Sequence, residues 1–322
     1  MAEYKRGRGA DSMNGRATGG RRDERARAAA AHTEEMERRF GKEIEASAQG
    51  VLRIDGMPKA QRDAVVASEP VARQLPTVAV VDEDCVAAIL ERGRGRAQFC
   101  DLAVLDFASF TNPGGGYDRG TMAQEEALCA ESFLYNVLSR NKDWYLENRR
   151  RNINCSLYRE RALAVPAVRF ARDKTHAYAD VIVAAAPNAD RARSEYGVKP
   201  DVLERSLRTR IRFVLAVADR LGHEKLVLGA YGCGVFGWDP ETVAELFREE
   251  LADGAHAARE VVFAVPRVRY NENHEVFVHA FALFPERNPE SYEVARQARI
   301  VQAEADAQQA ADDEEDDWRK YL

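Results

Sequence analysis

Two glutamates that follow a run of glycines are the residues of this 322-residue chain whose types and spacing best suit chemistry. The run is Gly114, Gly115 and Gly116, and the acidic pair is Glu125 and Glu126, directly after Gln124. Three consecutive glycines lose much backbone entropy on folding, so the segment must need left-handed torsions or the close approach of another group. Since successive helical residues are rotated by about 100°, the two carboxylates cannot share one task.

The glycine run and the acidic pair together predict a ligand site. One carboxylate would face a scissile bond, while the other would bind a neighbouring hydroxyl or support the loop. The alternative is a purely structural role. The glycines would form a flexible surface turn, and the acidic residues would only interact favourably with the dipole of the helix that follows.

A second glycine-rich loop, residues 229–237, reads GAYGCGVFG and contains the pattern GxGxxG. Its residues are Gly232, Cys233, Gly234, Val235, Phe236 and Gly237. Consecutive backbone N–H groups ahead of a helix that starts near Asp239 can bind a diphosphate. Phe236 offers a flat face to a ribose or base, or else it fills the core. No catalytic base accompanies Cys233, so we interpret it as a small buried side chain.

Short apolar runs that alternate with helical patterns must position these loops. They predict strands at 77–81, 102–105, 181–184, 226–228 and 261–265. They predict helices at 24–48, 86–92, 125–138, 202–221, from Asp239 onwards and at 275–284. Such alternation is typical of an α/β sheet that is covered by helices on both faces.

Composition divides the chain into four expected segments. Residues 1–25 are rich in Gly and Arg and predict a disordered basic tail. Residues 26–75 predict a helical extension, 76–285 the catalytic domain, and 286–322 a C-terminal segment in which a helix fades into an acidic tail.

Several classes of protein fit the composition poorly. A formal net charge of -6 argues against general DNA binding, and no apolar run is long enough for a membrane helix or a secretory signal. The five cysteines form no CxxC pair, which favours reduced thiols in the cytoplasm. The six histidines lack metal-ligand spacing, so we predict no metal and no cofactor.

The stretch 105–126 resembles the GGG-x(6–8)-QEE signature of poly(ADP-ribose) glycohydrolases, and Asn112-Pro113 before the glycines resembles their microbial type. The second loop resembles the diphosphate-binding loop of the same family. The resemblance covers about residues 25–285. It implies a three-layer α/β/α macrodomain with a mixed central sheet and a helical N-terminal extension.

The resemblance also implies a role for each matching residue. Glu126 is expected to be the catalytic glutamate, Glu125 to bind ribose hydroxyls, and Gln124 to fix the loop. The first glycines are expected to line the distal ribose and the phosphates, the second loop to bind the diphosphate, and Phe236 to lie beside the ribose. Further ligand contacts are expected from Asp106, Phe107, Ala108 and Asn112.

The implied activity is hydrolysis of the O-glycosidic ribose–ribose bond of ADP-ribose polymers, from the chain end, with release of ADP-ribose. The expected partners are the polymer or an ADP-ribosylated protein, with no membrane and no sequence-specific nucleic acid, and the chain is expected to be a monomer.

Three alternative functions stay open: a non-catalytic ADP-ribose reader, a hydrolase of mono-ADP-ribosylated targets, and a nicotinamide-dependent oxidoreductase based on GxGxxG alone. The basic cluster Arg149–Arg151 is either a solvated helix face or a patch for the polyanion.

Overall fold

A seven-stranded mixed sheet forms the centre of the structure, a computed structural model that describes residues 12–58 and 75–319. The strands are β1 (Leu52–Asp55), β2 (Thr77–Val81), β3 (Leu102–Phe107), β4 (Arg161–Arg172), β5 (Thr175–Ala184), β6 (Lys225–Leu228) and β7 (Glu260–Ala264). The helices are α1 (Ser12–Gln49), α2 (Cys85–Arg92), α3 (Gln124–Ala130), α4 (Leu134–Leu138), α5 (Lys142–Arg151), α6 (Ala189–Tyr196), α7 (Pro200–Leu221), α8 (Pro240–Asp253), α9 (Asn273–Phe281) and α10 (Tyr292–Arg319).

The strand order β1-β4-β5-β3-β6-β7-β2 brings the two glycine loops together. β3 pairs in parallel with both β5 and β6, while β4 is antiparallel to β1 and β5. Parallel neighbours end at the same edge of a sheet, and ligands of open α/β sheets bind at that edge. The loops that follow β3 and β6 therefore meet at the carboxyl edge.

Side chains of β3 alternate between two buried layers, as a pleated strand requires. Leu102 and Val104 pack towards the face that carries α1 to α5, whereas Ala103 and Leu105 pack towards the face that carries α6 to α9. Both faces are covered, which confirms the three-layer α/β/α arrangement. By the same alternation the side chain of Asp106 lies on the face that carries α1 to α5. This is the face on which α3 carries Glu125 and Glu126.

The predicted helices and strands are present, but α5 and α6 were not among them, and three further parts of the chain differ from the expectation. β4 was not predicted, because Pro166 and several arginines interrupt its apolar run. The helix expected at 125–138 is broken into α3 and α4, and the Ser132 hydroxyl hydrogen-bonds within the break, accepting from Leu134 N and donating to Leu128 O. The last helix is α10, which continues to Arg319 through the residues for which a fading acidic tail was expected.

The N-terminal segments also differ in detail from the expectation. α1 begins at Ser12, inside the expected disordered tail, and β1 lies within the expected helical extension but pairs with β4 at the sheet edge. Residues 1–11, 59–74 and 320–322 lie outside the described residues, so the four segment boundaries stay a prediction. Among the helices of the described part, none is long and apolar enough to cross a membrane.

Candidate functional site

The glycine run forms a tight turn beyond the end of β3. Gly114 and Gly115 have φ angles of +64° and +62°, a conformation that favours glycine. Gly115 N donates to Asn112 O at 3.1 Å, and Tyr117 N donates to Gly114 O at 3.0 Å. A Cβ on Gly115 would lie 2.6 Å from Glu126 Oε1 and 2.8 Å from Glu125 Oε2. The turn needs glycine because its backbone packs directly against both carboxylates.

Gln124 joins the start of α3 to the end of β3. Its Oε1 accepts from Phe107 N at 2.8 Å, and its Nε2 donates to Leu105 O at 2.9 Å. The side-chain amide thus makes the two hydrogen bonds that an adjacent strand would make. This contact fixes the position of the next two residues relative to the sheet.

Glu125 and Glu126 are held by different backbone groups of the same loop. Ser109 N donates to Glu125 Oε2 at 2.7 Å, and Gly116 N donates to Glu126 Oε1 at 2.8 Å. Both residues are buried, with exposed fractions of 3% and 6%, and Glu126 lines a cleft beside α1. The loop therefore orients two carboxyls in two directions, as the helical geometry requires.

Asp106 adds a third carboxyl to this cluster. It is completely buried, and neither of its oxygens has a hydrogen-bond partner within the described parts of the chain. Burial raises its pKa well above the usual range, and the charge of Glu126 adds to this effect. Burial, followed by the charge of Asp106, likewise raises the pKa of Glu125 well above its usual range. Asp106 and Glu125 therefore keep their protons to higher pH than isolated carboxyls do.

An arginine of α5 supports the first loop from the side. Arg149 Nη2 donates to Thr111 O at 3.1 Å and to Asn112 Oδ1 at 2.9 Å. The buried Asn148 next to it donates to Phe110 O at 2.9 Å. One member of the basic cluster thus has a positioning contact, whereas Arg150 is a solvated residue of the same helix.

The second loop presents free backbone donors. Gly232 and Gly237 have φ angles of +80° and +70°, and a Cβ on Gly237 would overlap the Asp190 carboxylate. Between them, the N–H groups of residues 234–236 donate to no acceptor within 12–58 and 75–319. Three successive N–H groups of this kind form an anion-binding concavity ahead of α8. The geometry suits a diphosphate.

Aromatic side chains connect the two loops. The Phe110 and Tyr158 rings stack at 4.4 Å, and the ring of Phe236 lies 6.3 Å from that of Tyr158. Tyr158 has a φ of +60°, and the segment 154–158 contains four non-glycine residues with positive φ. Such strained backbone often accompanies functional sites. Phe236 itself is half-buried, since it packs against Tyr158 and remains partly exposed to solvent.

The remaining predicted site residues occupy the same edge with different exposure. Phe107 is half-buried and its ring lies 5.5 Å from that of Tyr231, while Ala108 is buried. Cys233 is half-buried, and Val235 is 83% exposed at the loop tip. Asp106 is completely buried and interacts with the charges of Glu125 and Glu126, and its contact with a ligand stays a prediction. The sequence did not single out Asn148 or Tyr158, because neither lies in a recognisable motif.

Comparison with known proteins agrees with this fold. The family model "Microbial-type PARG, catalytic domain" matches residues 27–173. The solved poly(ADP-ribose) glycohydrolase of Thermomonospora curvata, bound to the inhibitor ADP-HPD, is 31% identical with a TM-score of 0.67, over 81% of this chain and 100% of that chain. The enzyme of Deinococcus radiodurans in complex with ADP-ribose is 31% identical with a TM-score of 0.60, over 73% and 95%. No curated protein sequence matches significantly.

Fold and site together define an α/β/α protein of the macrodomain kind, with a buried carboxyl cluster and a loop of free backbone N–H donors at the same edge of its sheet. The chain belongs to the microbial-type poly(ADP-ribose) glycohydrolase family.

Proposed function

We propose that this chain hydrolyses the O-glycosidic ribose–ribose bond of poly(ADP-ribose) and releases ADP-ribose, with Glu126 as the general acid and base. One observation carries the assignment: the glycine turn brings its bare backbone against both glutamate carboxylates. A ribose resting on that turn would have its anomeric carbon next to Glu126. Membership of the glycohydrolase family supports the same activity.

The two glutamates receive different tasks on the basis of exposure and contacts. Glu126 lines a cleft, whereas one oxygen of Glu125 is buried without a partner in the described structure. The carboxyl that exchanges protons with substrate and water must be the reachable one, which is Glu126. Glu125 then binds a ribose hydroxyl and, through Ser109 N, keeps the loop in shape.

In the proposed reaction Glu126 first donates a proton to the leaving oxygen and then accepts one from water. As the bond between C1″ and the leaving 2′ oxygen lengthens, Glu126 donates its proton to that oxygen, and positive charge develops on the anomeric carbon. A water molecule then attacks C1″ and gives its proton to the ionised Glu126. The sum is the addition of one water molecule, with the acid restored. No metal or redox cofactor enters this sequence of steps.

The second loop would fix the terminal ADP-ribose during these steps. The donor N–H groups of residues 234–236 suit its diphosphate, and the ring of Phe236 would pack against its ribose. Asn112, whose Oδ1 accepts from Arg149, would contact a ribose hydroxyl. Precise placement of this kind contributes much of the rate in a unimolecular step.

Replacement of Glu126 by glutamine tests the assignment. Glu126→Gln keeps the shape of the side chain and removes its proton chemistry, so ADP-ribose release from polymer should fall by about 10²–10⁴-fold. The dissociation constant for ADP-ribose, measured by calorimetry, should change little. Glu34→Gln, at an exposed position of α1, is the matched control and should keep full activity. Near-wild-type turnover by Glu126→Gln would falsify the assignment.

Binding and turnover assays on the wild-type protein distinguish the remaining alternative functions. A non-catalytic reader would bind ADP-ribose and release none of it from polymer. A hydrolase of mono-ADP-ribosylated targets would act faster on a singly modified protein than on polymer. Cleavage from the chain end predicts ADP-ribose alone as the early product, whereas internal cleavage would yield oligomers.

We also propose that the protein acts as a monomer in the cytoplasm. All five cysteines are free thiols in the structure, which suits a reducing compartment. Sedimentation at micromolar concentration would test the monomer.

A further inference from the structure

A cleft of about 340 Å³ lies between α1 and the segment that joins the glycine turn to α3. α1 lines it with Arg25, Ala28, Ala29 and His32, and Glu126 is also among the residues that line it. Ligand pockets have volumes of about 300–1,000 Å³, so this cleft is large enough for part of a nucleotide. Glu126 is the residue to which the proposed mechanism assigns the proton transfer.

The width of the cleft is fixed by close backbone contacts. Arg22 Nε donates to Arg119 O at 2.9 Å, and Arg25 Nε donates to Gly120 O at 2.8 Å. Gly120 has a φ of +70°, and a Cβ there would overlap the Arg22 carbonyl and lie 3.0 Å from Ala26 N. α1 therefore contacts the loop directly, and these contacts define the cleft between them.

The lining combines apolar walls with positive charge. Alanines of α1 and α3 and the ring of Tyr117 line the walls, and Met122, which is 69% exposed, also lines the cleft. Methionine adapts its shape to flat or irregular ligands. Arg25 lies at one side, and Arg22 and Arg119 lie next to it along the α1–loop contact. Of the residues that line the cleft, Glu126 alone has a carboxylate.

We propose that this cleft binds the departing part of the polymer, namely the ribose and adenine of the penultimate ADP-ribose unit, with its diphosphate beside Arg25. The inference rests on the proposed function, because the leaving oxygen must lie within hydrogen-bond reach of Glu126 when it takes the proton. The unit attached to that oxygen must then lie beside Glu126 as well. Apolar walls suit the base, and a guanidinium suits a diphosphate through paired hydrogen bonds.

Two substrates with the same terminal unit but different leaving groups test the proposal. One is poly(ADP-ribose), and the other is the 1″-α-(4-nitrophenyl) glycoside of ADP-ribose, which lacks a second nucleotide. Ala28→Trp fills the cleft from an exposed position of α1. It should lower kcat/KM on polymer by at least about 10-fold, which is about 1.4 kcal/mol, and leave the aryl glycoside within about twofold. Ala30→Trp, exposed on α1 but outside the cleft, should change neither.

A second pair of variants tests the placement of the diphosphate. Arg25→Gln should lower kcat/KM on polymer by about threefold to tenfold, less so at high salt, since the contact is electrostatic. Arg27→Gln removes another exposed arginine of α1 that does not line the cleft, so it should have no effect. Equal effects of the two variants would contradict the placement.

The outcomes separate failure of the two proposals. If the wild-type protein cleaves neither substrate, the proposed function is wrong. If it cleaves both, and Ala28→Trp slows both equally or slows neither, then the function stands and the cleft does not bind the departing unit.

Discussion

Gly115→Ala would place a methyl group where two carboxylate oxygens now lie. The new Cβ would be 2.6 Å from Glu126 Oε1 and 2.8 Å from Glu125 Oε2. To reach an ordinary contact of about 3.5 Å, the Glu126 oxygen must move by about 0.9 Å. The φ of +62° adds a left-handed torsion for a residue with a Cβ, which costs about 1–2 kcal/mol.

The expected result is a large loss of turnover with a moderate loss of stability. A misplacement of about 1 Å costs about 10²-fold in rate, so kcat for ADP-ribose release from polymer should fall by about that factor. The free energy of unfolding in urea should fall by at least the torsional cost of about 1–2 kcal/mol.

Gly197→Ala is the matched control for the torsional cost. Gly197 has a φ of +61° and no atom within 4 Å of an added Cβ. It should lose the same 1–2 kcal/mol of stability, in order of magnitude, and keep full turnover. If Gly115→Ala retains more than about half of the wild-type kcat while showing the torsional loss of stability, the contact between the turn and the carboxylates does not position the catalytic group.

The other predictions concern the support of the loop and the buried titrating groups. Arg149→Gln should raise KM or lower kcat several-fold with unfolding free energy within about 1 kcal/mol of wild type, while the solvated Arg150→Gln should change neither; equal kinetics for both variants would remove Arg149 from the site. Asp106, whose pKa is raised chiefly by burial, makes stability fall as pH rises from its unfolded pKa towards its folded one. Urea unfolding of Asp106→Asn at pH 4 and pH 8 should therefore show a gain over wild type at the higher pH, and a pH-independent difference would argue against the buried charge. Burial is the largest single influence on the pKa of His223 and lowers it, but the hydrogen bond to Asp180 and the charges of Asp180 and Asp101 together raise it by more, so the net shift is upward. The stabilising contribution of His223 is therefore present below its unfolded pKa and is lost as pH rises through its folded pKa. His223→Gln should lose more stability at pH 6 than at pH 9.

The sequence was sufficient for the parts of the site that lie in one segment. The glycine run, Gln124 and the two glutamates are local in sequence, and a run of glycines before acidic residues has few physical explanations. The parallel strands were also predictable, since strands buried on both faces read as continuous apolar runs. These two signals located the first loop and the edge of the sheet.

Contacts between distant segments were beyond the sequence signal. β4 carries Pro166 and three arginines, at 161, 169 and 172, and it lies near the sheet edge, between β1 and β5. Arg149 is one of three equal arginines in sequence, and only the packing of α5 against the first loop distinguishes it. Asp106 ends an apolar strand like many exposed residues, and its burial depends on the helices of one face.

The N-terminal helix is another element whose long-range contacts the sequence did not indicate. Composition predicted a disordered basic tail up to residue 25, since the segment has few aliphatic side chains. In the structure Arg22 and Arg25 instead hydrogen-bond to backbone carbonyls of the loop, a contact that requires Gly120. A contact made through backbone and arginine leaves no hydrophobic pattern for a sequence to reveal.

A structure of the protein with ADP-ribose bound tests the assignment of Glu126 most directly. We expect a Glu126 oxygen within about 2.6–3.2 Å of the hydroxyl oxygen on C1″, with the diphosphate bound to the N–H groups of residues 234–236. A ligand whose C1″ lies beyond reach of Glu126, and next to another acidic group instead, would contradict it.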